Sequence, residues 1–249
     1  MNVLRSLAVS LCCFSVCMFA QTADELVAKN LQAKGGLEKI KAIKSLRMTA
    51  VLDVGGFKAE FGQESERPDL LRETFSVQGM TQITAYDGNS GWQINPFQGR
   101  KDPELVGDER LRSLIEDADF DGPLVDAQAK GNKVEYIGHD QVDGDDVYKL
   151  KVTLKNGDIF YYSLDPDTYI EIQIEKQRFV RGAVRESVTL LGSFKPVNGV
   201  MFPFSIVSGP KNDPEAGGKL TVEKIEANVN IDNKDFKMPA ALESKTGSK

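Results

Sequence analysis

After Cys17 the sequence contains no cysteine, and its single histidine and single tryptophan are His139 and Trp92. Cys12, Cys13 and Cys17 all fall in a stretch built like an export leader, where Arg5 precedes an apolar run from Leu7 to Phe19 that ends at Ala20. Cleavage after Ala20 is expected, since the run is shorter than the about 20 apolar residues that a durable membrane anchor takes. A retained anchor and a lipid-modified Cys17 are the alternatives. Val16 opposes the second, because such sites want a small residue before the cysteine. The mature chain would enter an oxidising compartment with no thiol, which excludes cysteine nucleophiles and disulfides.

The other shortages remove further chemistry. One histidine without cysteine does not make a zinc site, and no metal or cofactor is expected. A serine triad would need His139, which lies in Gly138-His139-Asp140 at an expected turn and has no Gly-x-Ser-x-Gly elbow to accompany it. The acidic hairpin of Asp140, Asp143, Asp145 and Asp146 lacks the spacing of a calcium loop, and Asp and Gly favour such turns for conformational reasons alone. One tryptophan supplies little for sugar stacking. Without the leader's Arg5, the 31 basic residues become 30 against 37 acidic ones, a net charge of −7. The charges are interspersed and form no basic stripe, so they point neither to nucleic acid nor to anionic lipid headgroups. No catalytic residue is expected.

What is present is mainly β pattern. Thr22-Ala23-Asp24-Glu25 fits a capping box opening a helix. Leu26, Val27, Leu31, Leu37, Ile40 and Ile43 continue the helical stripe, and Gly35-Gly36 divides it into two short helices. From Ser45 the period becomes 2, with turn signals at Gly55-Gly56, Pro68-Asp69 and Asp87 to Gly91. A proline-started helix is expected over Pro103–Ala118. Strands resume at Lys133. Asn156-Gly157 is the strongest two-residue hairpin signal, and Ile170, Ile172 and Ile174 alternate with Glu171, Gln173 and Glu175. Roughly eleven strands and one helical layer predict a single curved antiparallel sheet, an open β-barrel whose helices cover the concave face. The expected divisions are a signal peptide over 1–20, one domain over 21–239 and a tail over 240–249.

Such a sheet is too wide for two or three short helices to fill. An apolar hollow is therefore expected, with Met48, Leu52, Phe57, Phe61, Phe75, Trp92, Ile94, Leu114, Tyr148, Leu150, Phe160, Tyr162 and Ile172 as candidate ligand-binding residues. Each buried CH₂ of an acyl chain is worth about 0.8 kcal/mol, which suits a lipid ligand.

Several stretches carry a family resemblance. They are Gly35-Gly36-Leu37-Glu38-Lys39-Ile40-Lys41-Ala42-Ile43-Lys44-Ser45-Leu46, Arg67-Pro68, and Ala85-Tyr86-Asp87-Gly88-Asn89-Ser90-Gly91-Trp92. Val197-Asn198-Gly199-Val200-Met201-Phe202-Pro203 and the closing Asn228-Val229-Asn230-Ile231-Asp232, Phe236 and Pro239 complete the series. In this order they resemble the LolA/LolB-like superfamily of periplasmic lipoprotein-localisation proteins, especially its outer-membrane lipoprotein-sorting-like branch. The resemblance implies an unclosed barrel of about eleven strands lidded by helices, and a role in binding acyl chains of lipoproteins or lipids in the periplasm. The expected protein is a monomeric, non-enzymatic carrier. The alternative is an envelope interaction or sensor module with a filled β-core and a protein partner. A hydrolase is a third reading, which would need a cleft of buried acids.

Overall fold

The computed structural model describes residues 21–240. The expected leader with its cysteines, and all of the expected tail after residue 240, lie outside the described residues. Helix α1 (Ala23–Ala33) opens at the capping box, where Thr22 Oγ1 accepts from the Glu25 amide at 3.2 Å and the Glu25 carboxylate accepts from the Thr22 amide at 3.1 Å. Gly35 and Gly36, at φ of 118° and 93°, separate it from α2 (Leu37–Ala42). A Cβ on Gly35 would run into the carbonyl oxygen of Gly199, so glycine lets the α1–α2 link lie against a later hairpin.

The first half of the sheet is a meander of β1 (Ser45–Val54), β2 (Phe57–Glu66), β3 (Leu70–Val77), β4 (Met80–Tyr86) and β5 (Gly91–Asn95). The single helix expected over Pro103–Ala118 is instead two elements, β6 (Arg100–Leu105) and α3 (Asp108–Ala118), which follows Gly107. Pro103 is tolerated in β6 because that strand is a sheet edge, where a missing amide breaks no ladder. Residues 119–132 run in turns.

The second half contains β7 (Lys133–Val142), β8 (Asp145–Thr153), β9 (Ile159–Leu164), β10 (Glu171–Val180) and β11 (Ala183–Gly192). A small hairpin of β12 (Lys195–Val197) and β13 (Val200–Phe202) leads to β14 (Ser205–Pro210) and β15 (Lys219–Ala227). Thirteen strands form one sheet in the order β6-β5-β4-β3-β2-β1-β15-β14-β11-β10-β9-β8-β7. The sheet is antiparallel, curved and not closed into a barrel. The strand count exceeds the expected eleven partly because β6 replaces a helix and β12–β13 is a hairpin of its own.

Turn chemistry follows the residues at most bends. Gly55-Gly56, Asp143-Gly144, Arg181-Gly182 and Asn198-Gly199 each have positive φ at both positions, the conformation whose twist matches a two-residue hairpin. Asn156-Gly157 departs from expectation, because β8 ends at Thr153 and β9 starts at Ile159. Only Gly157 has positive φ there, at 89°. The Asn156 side chain accepts from the Asp158 amide at 2.9 Å, a local bond that competes with the tight turn. His139 is exposed as expected, but it lies within β7, beside a register shift between Tyr136 and Gly138 and opposite Tyr148.

Ladder register defines an inner face that carries the helices. Leu26 of α1 packs with Leu150, Val152, Phe160, Tyr162 and Leu164, so α1 covers β8 and β9. Ile40 of α2 packs with Leu46, Val125 and Val200. Leu114 of α3 packs with Leu71 and Tyr86 over the other half. Gly91 permits that last approach, since a Cβ there would sit 2.7 Å from Val106 Cγ2 and 3.0 Å from Leu114 Cδ1.

Candidate functional site

Between the two covered halves the inner face is apolar and, among the described residues, has no helix of its own. Met48, Phe61, Ile206, Leu220 and Ile225 are partly buried there, around buried Ala50, Phe204 and Val222. The turn segment 119–124 borders, with this strip, a half-open hollow of about 370 Å³. Its walls include Leu46, Met48, Phe160, Tyr162, Ile174 and Ile206, with Lys34, Lys176 and the acids Glu116, Asp117, Asp119, Asp121 and Glu171 at charged positions. That volume falls within the about 300–1,000 Å³ of small-molecule sites. A groove of about 670 Å³ on the outward side of α3 is lined by Leu111, Ile115, Pro123 and Leu154, with Ile115 exposed.

The cover is fastened by ion pairs. Arg67 donates to both carboxylate oxygens of Asp121 at 2.6 Å and to the carbonyls of Ile40 and Ile43, and its guanidinium stacks 4.7 Å from the Phe120 ring. Lys130 holds Asp119 at 2.6 Å. On α3, Glu116 accepts from Lys176 at 2.5 Å and from Arg178, while Arg110 reaches Glu73 of β3. Helix α3 therefore spans the open mouth, with Leu114 seated on one half and Glu116 tethered to β10 on the other.

Burial controls the acids beneath α3. It pushes the Asp117 carboxyl above the ordinary carboxylate range, against the pull of Lys176 and with a further push from Glu116. Burial likewise raises Glu73 against the pull of Arg110, and Asp117 adds to the effect. An acid raised in the folded state costs nothing below its unfolded pKa, and its full penalty develops as pH rises through the folded value. Asp117→Asn should therefore raise stability at pH 7 by about 0.5–2 kcal/mol and leave it unchanged below the ordinary carboxylate range. Thermal melts at the two pH values read this. An equal gain at both would show that relief of a charge is not the cause.

Met48, Phe160 and Tyr162 line the hollow. Register places Leu52, Phe57, Phe61 and Phe75 on the same face, along the first half-sheet, with Phe57 exposed at the β1–β2 tip. Tyr148 and Leu150 sit under α1, and Leu114 belongs to α3, on the side packed against Leu71 and Tyr86. Trp92 and Ile94 lie on the opposite face, where Trp92 Nε1 donates to the Phe236 carbonyl at 2.8 Å. Ile172 falls at the irregularity between Glu171 and Gln173 in the β9–β10 register.

That bulge hides a residue from sequence reading. Strict alternation puts Glu171 on the face away from Ile174, whereas one extra residue brings both to the inner wall. There Glu171 accepts from Lys34 Nζ at 2.6 Å and Asn30 Nδ2 at 2.7 Å. No comparable signal marks Glu116, Lys176 or Arg178, since Glu116 lies 60 and 62 residues from the two bases it pairs with.

No family model matches the sequence, and no curated protein matches it. Solved structures do. A DUF1329 family protein from Desulfovibrio piger superposes with a TM-score of 0.59 at 12% identity, covering 88% of this chain and 98% of that one. A LolA superfamily protein from Nitrosomonas europaea gives 0.58 at 13% identity, with the same coverage of 88% and 98%. An outer membrane lipoprotein-sorting protein domain from Vibrio parahaemolyticus gives 0.50 at 14% identity over 84% of this chain and 97% of that one. At such identities the likeness establishes architecture: this chain is folded as the LolA superfamily proteins are, on an open antiparallel barrel.

Proposed function

We propose that the protein is a non-enzymatic periplasmic carrier or binding protein for lipid acyl chains, working in outer-membrane lipoprotein or lipid trafficking. In this reading residues 1–20 are a cleaved leader and 21–239 the working unit. The hollow carries the reading: an apolar strip on the inner face, without a described helix of its own, lies beneath a cover seated by Leu114 and tied by side-chain ion pairs. Met48, Phe61, Phe160, Tyr162 and the neighbouring Ile206 contact the chain, and displacement of α3 with segment 119–124 admits it. Binding is hydrophobic burial, so affinity grows with chain length.

The test is to purify the mature protein, extract it for lipid mass spectrometry, and titrate it with a fluorescent fatty acid. Copurified lipid and saturable uptake are expected. Filling the hollow with Met48→Trp or Ile206→Trp should weaken uptake about tenfold or more, because excluding two methylenes already costs about 1.6 kcal/mol. Recovery of no lipid together with no uptake would end this reading. A second reading, an envelope docking module with a protein partner, draws on Phe179 and Val184. These pair across the β10–β11 hairpin and are 67% and 62% exposed. It requires retrieval of one specific partner that Phe179→Ser abolishes.

A further inference from the structure

Beside the hollow lies a second concavity of opposite character. A groove of about 760 Å³ runs between the first turns of α3 and the β10–β11 hairpin. Arg110 and Arg112 of α3 face it, as do Lys176, Arg178, Arg181 and Arg185 of the hairpin. Its acids are Asp108, Glu109 and Glu186, so six basic groups meet three acidic ones. Glu73, Glu116 and Asp158 pair with four of the six from outside the groove wall, which among the described residues leaves Arg185 and the loosely held Arg181 as its free positive charge.

The basic groups are incompletely neutralised. Arg178 and Arg185 stand directly opposite each other across the ladder, a like-charge pairing that costs stability. Arg178 is engaged by Glu116, by Ser113 at 3.2 Å and, through its buried Nε, by Asp158 at 3.8 Å. Exposed Arg185 has no ion-pair or hydrogen-bond partner among the described residues. Arg112 has one contact, to Asp158 at 3.5 Å, and Arg181 one to Glu109 at 3.9 Å. Guanidinium groups gathered around a concavity with unused donors match the oxygens of a tetrahedral anion, which they bind in bidentate fashion. Lys176 forms part of the wall of both the groove and the hollow.

We propose that this groove binds a phosphate group and, resting on the acyl-chain reading above, that the phosphate is the headgroup of an amphiphile whose chain occupies the hollow. Arg112 and Arg185 supply recognition, and Lys176 sits at the junction of head and chain. A free phosphate ester would use the same chemistry, and the experiment separates the two sources.

The full mature protein would be titrated calorimetrically, at low salt, with dodecyl phosphate, with dodecanol and with inorganic phosphate. Dodecyl phosphate should bind about tenfold or more tightly than dodecanol, the worth of one charge-assisted pair, and that advantage should shrink as salt is added. An R112A/R185A variant should lose the advantage yet bind dodecanol as before, since neither residue lines the hollow. Single R185A serves if the double variant is unstable. Arginine-dependent binding of inorganic phosphate, as tight as that of dodecyl phosphate, would assign the groove to free phosphate and overturn the headgroup assignment alone. If neither amphiphile binds while inorganic phosphate does, the acyl-chain reading fails and the anion site stands. Equal binding of dodecyl phosphate and dodecanol, without effect of the arginine substitutions, overturns the proposal.

Discussion

Glu171→Ala should destabilise the fold by about 3–5 kcal/mol, the cost of breaking a buried ion pair on one side. Glu171 is 6% exposed at the start of β10 and is the common acceptor for Asn30 and Lys34 of the α1 region. Removing its carboxylate leaves the Lys34 ammonium without its ion-pair partner and Asn30 Nδ2 with only the Tyr169 carbonyl, at 2.9 Å. Urea unfolding at pH 7 measures the loss. Burial alone would raise the carboxyl, but the Lys34 charge and the bonds from Lys34 and Asn30 outweigh it and hold the group below the ordinary glutamate range. The stability it supplies is thus complete above the unfolded-state pKa and disappears as pH falls through the lower folded value. Wild type and variant should converge only at strongly acid pH. A loss under 1 kcal/mol at pH 7 would mean that α1 is not anchored through this residue.

Leu114→Ala is expected to cost about 2–5 kcal/mol, as buried leucine truncations do. Leu114 has no exposed surface and meets Leu71, Tyr86 and Ala118 above Gly91. The backbone glycine cannot fill the void, so little relaxation is available to offset it. Hydrogen exchange adds a local reading, since α3 amides should lose protection before those of β3 and β4. Uniform loss across the sheet would contradict a cover that can lift by itself. Faster uptake of the fatty-acid probe in the same variant would connect seating of α3 to access.

Much of the fold was legible because local chemistry and tertiary demand agreed. Thr22 and Glu25 form a capping box in any helix that starts there. Gly55-Gly56 and Asn198-Gly199 turn as their φ preferences dictate. The stretches that carried the family resemblance also prove to meet in space: Gly35 lies against Gly199, and Trp92 donates to Phe236. Arg67 ties α2 to the turn segment. The strand at Pro103 and the inward face of Glu171 escape sequence reading for a shared reason. A proline is as acceptable on a sheet edge as at a helix start, and a bulge leaves no mark in the sequence while reversing every later side chain.

By itself the sequence determined the class of the protein. Period-2 apolar pattern, turn residues and two short helices dictate an antiparallel sheet with a small helical cover, and beyond residue 17 the chain offers one histidine and no cysteine. These properties are local, fixed by neighbours within a few positions. Only the tertiary structure decided where charge and hollow lie. Along the chain the basic residues are interspersed and form no stripe. The fold instead brings Arg110 and Arg112 against Lys176, Arg178 and Arg185, more than sixty positions away, beside the wall of an apolar hollow. Such a site depends on strand order and register, which arise from long-range pairing and cannot be read from spacing in the sequence.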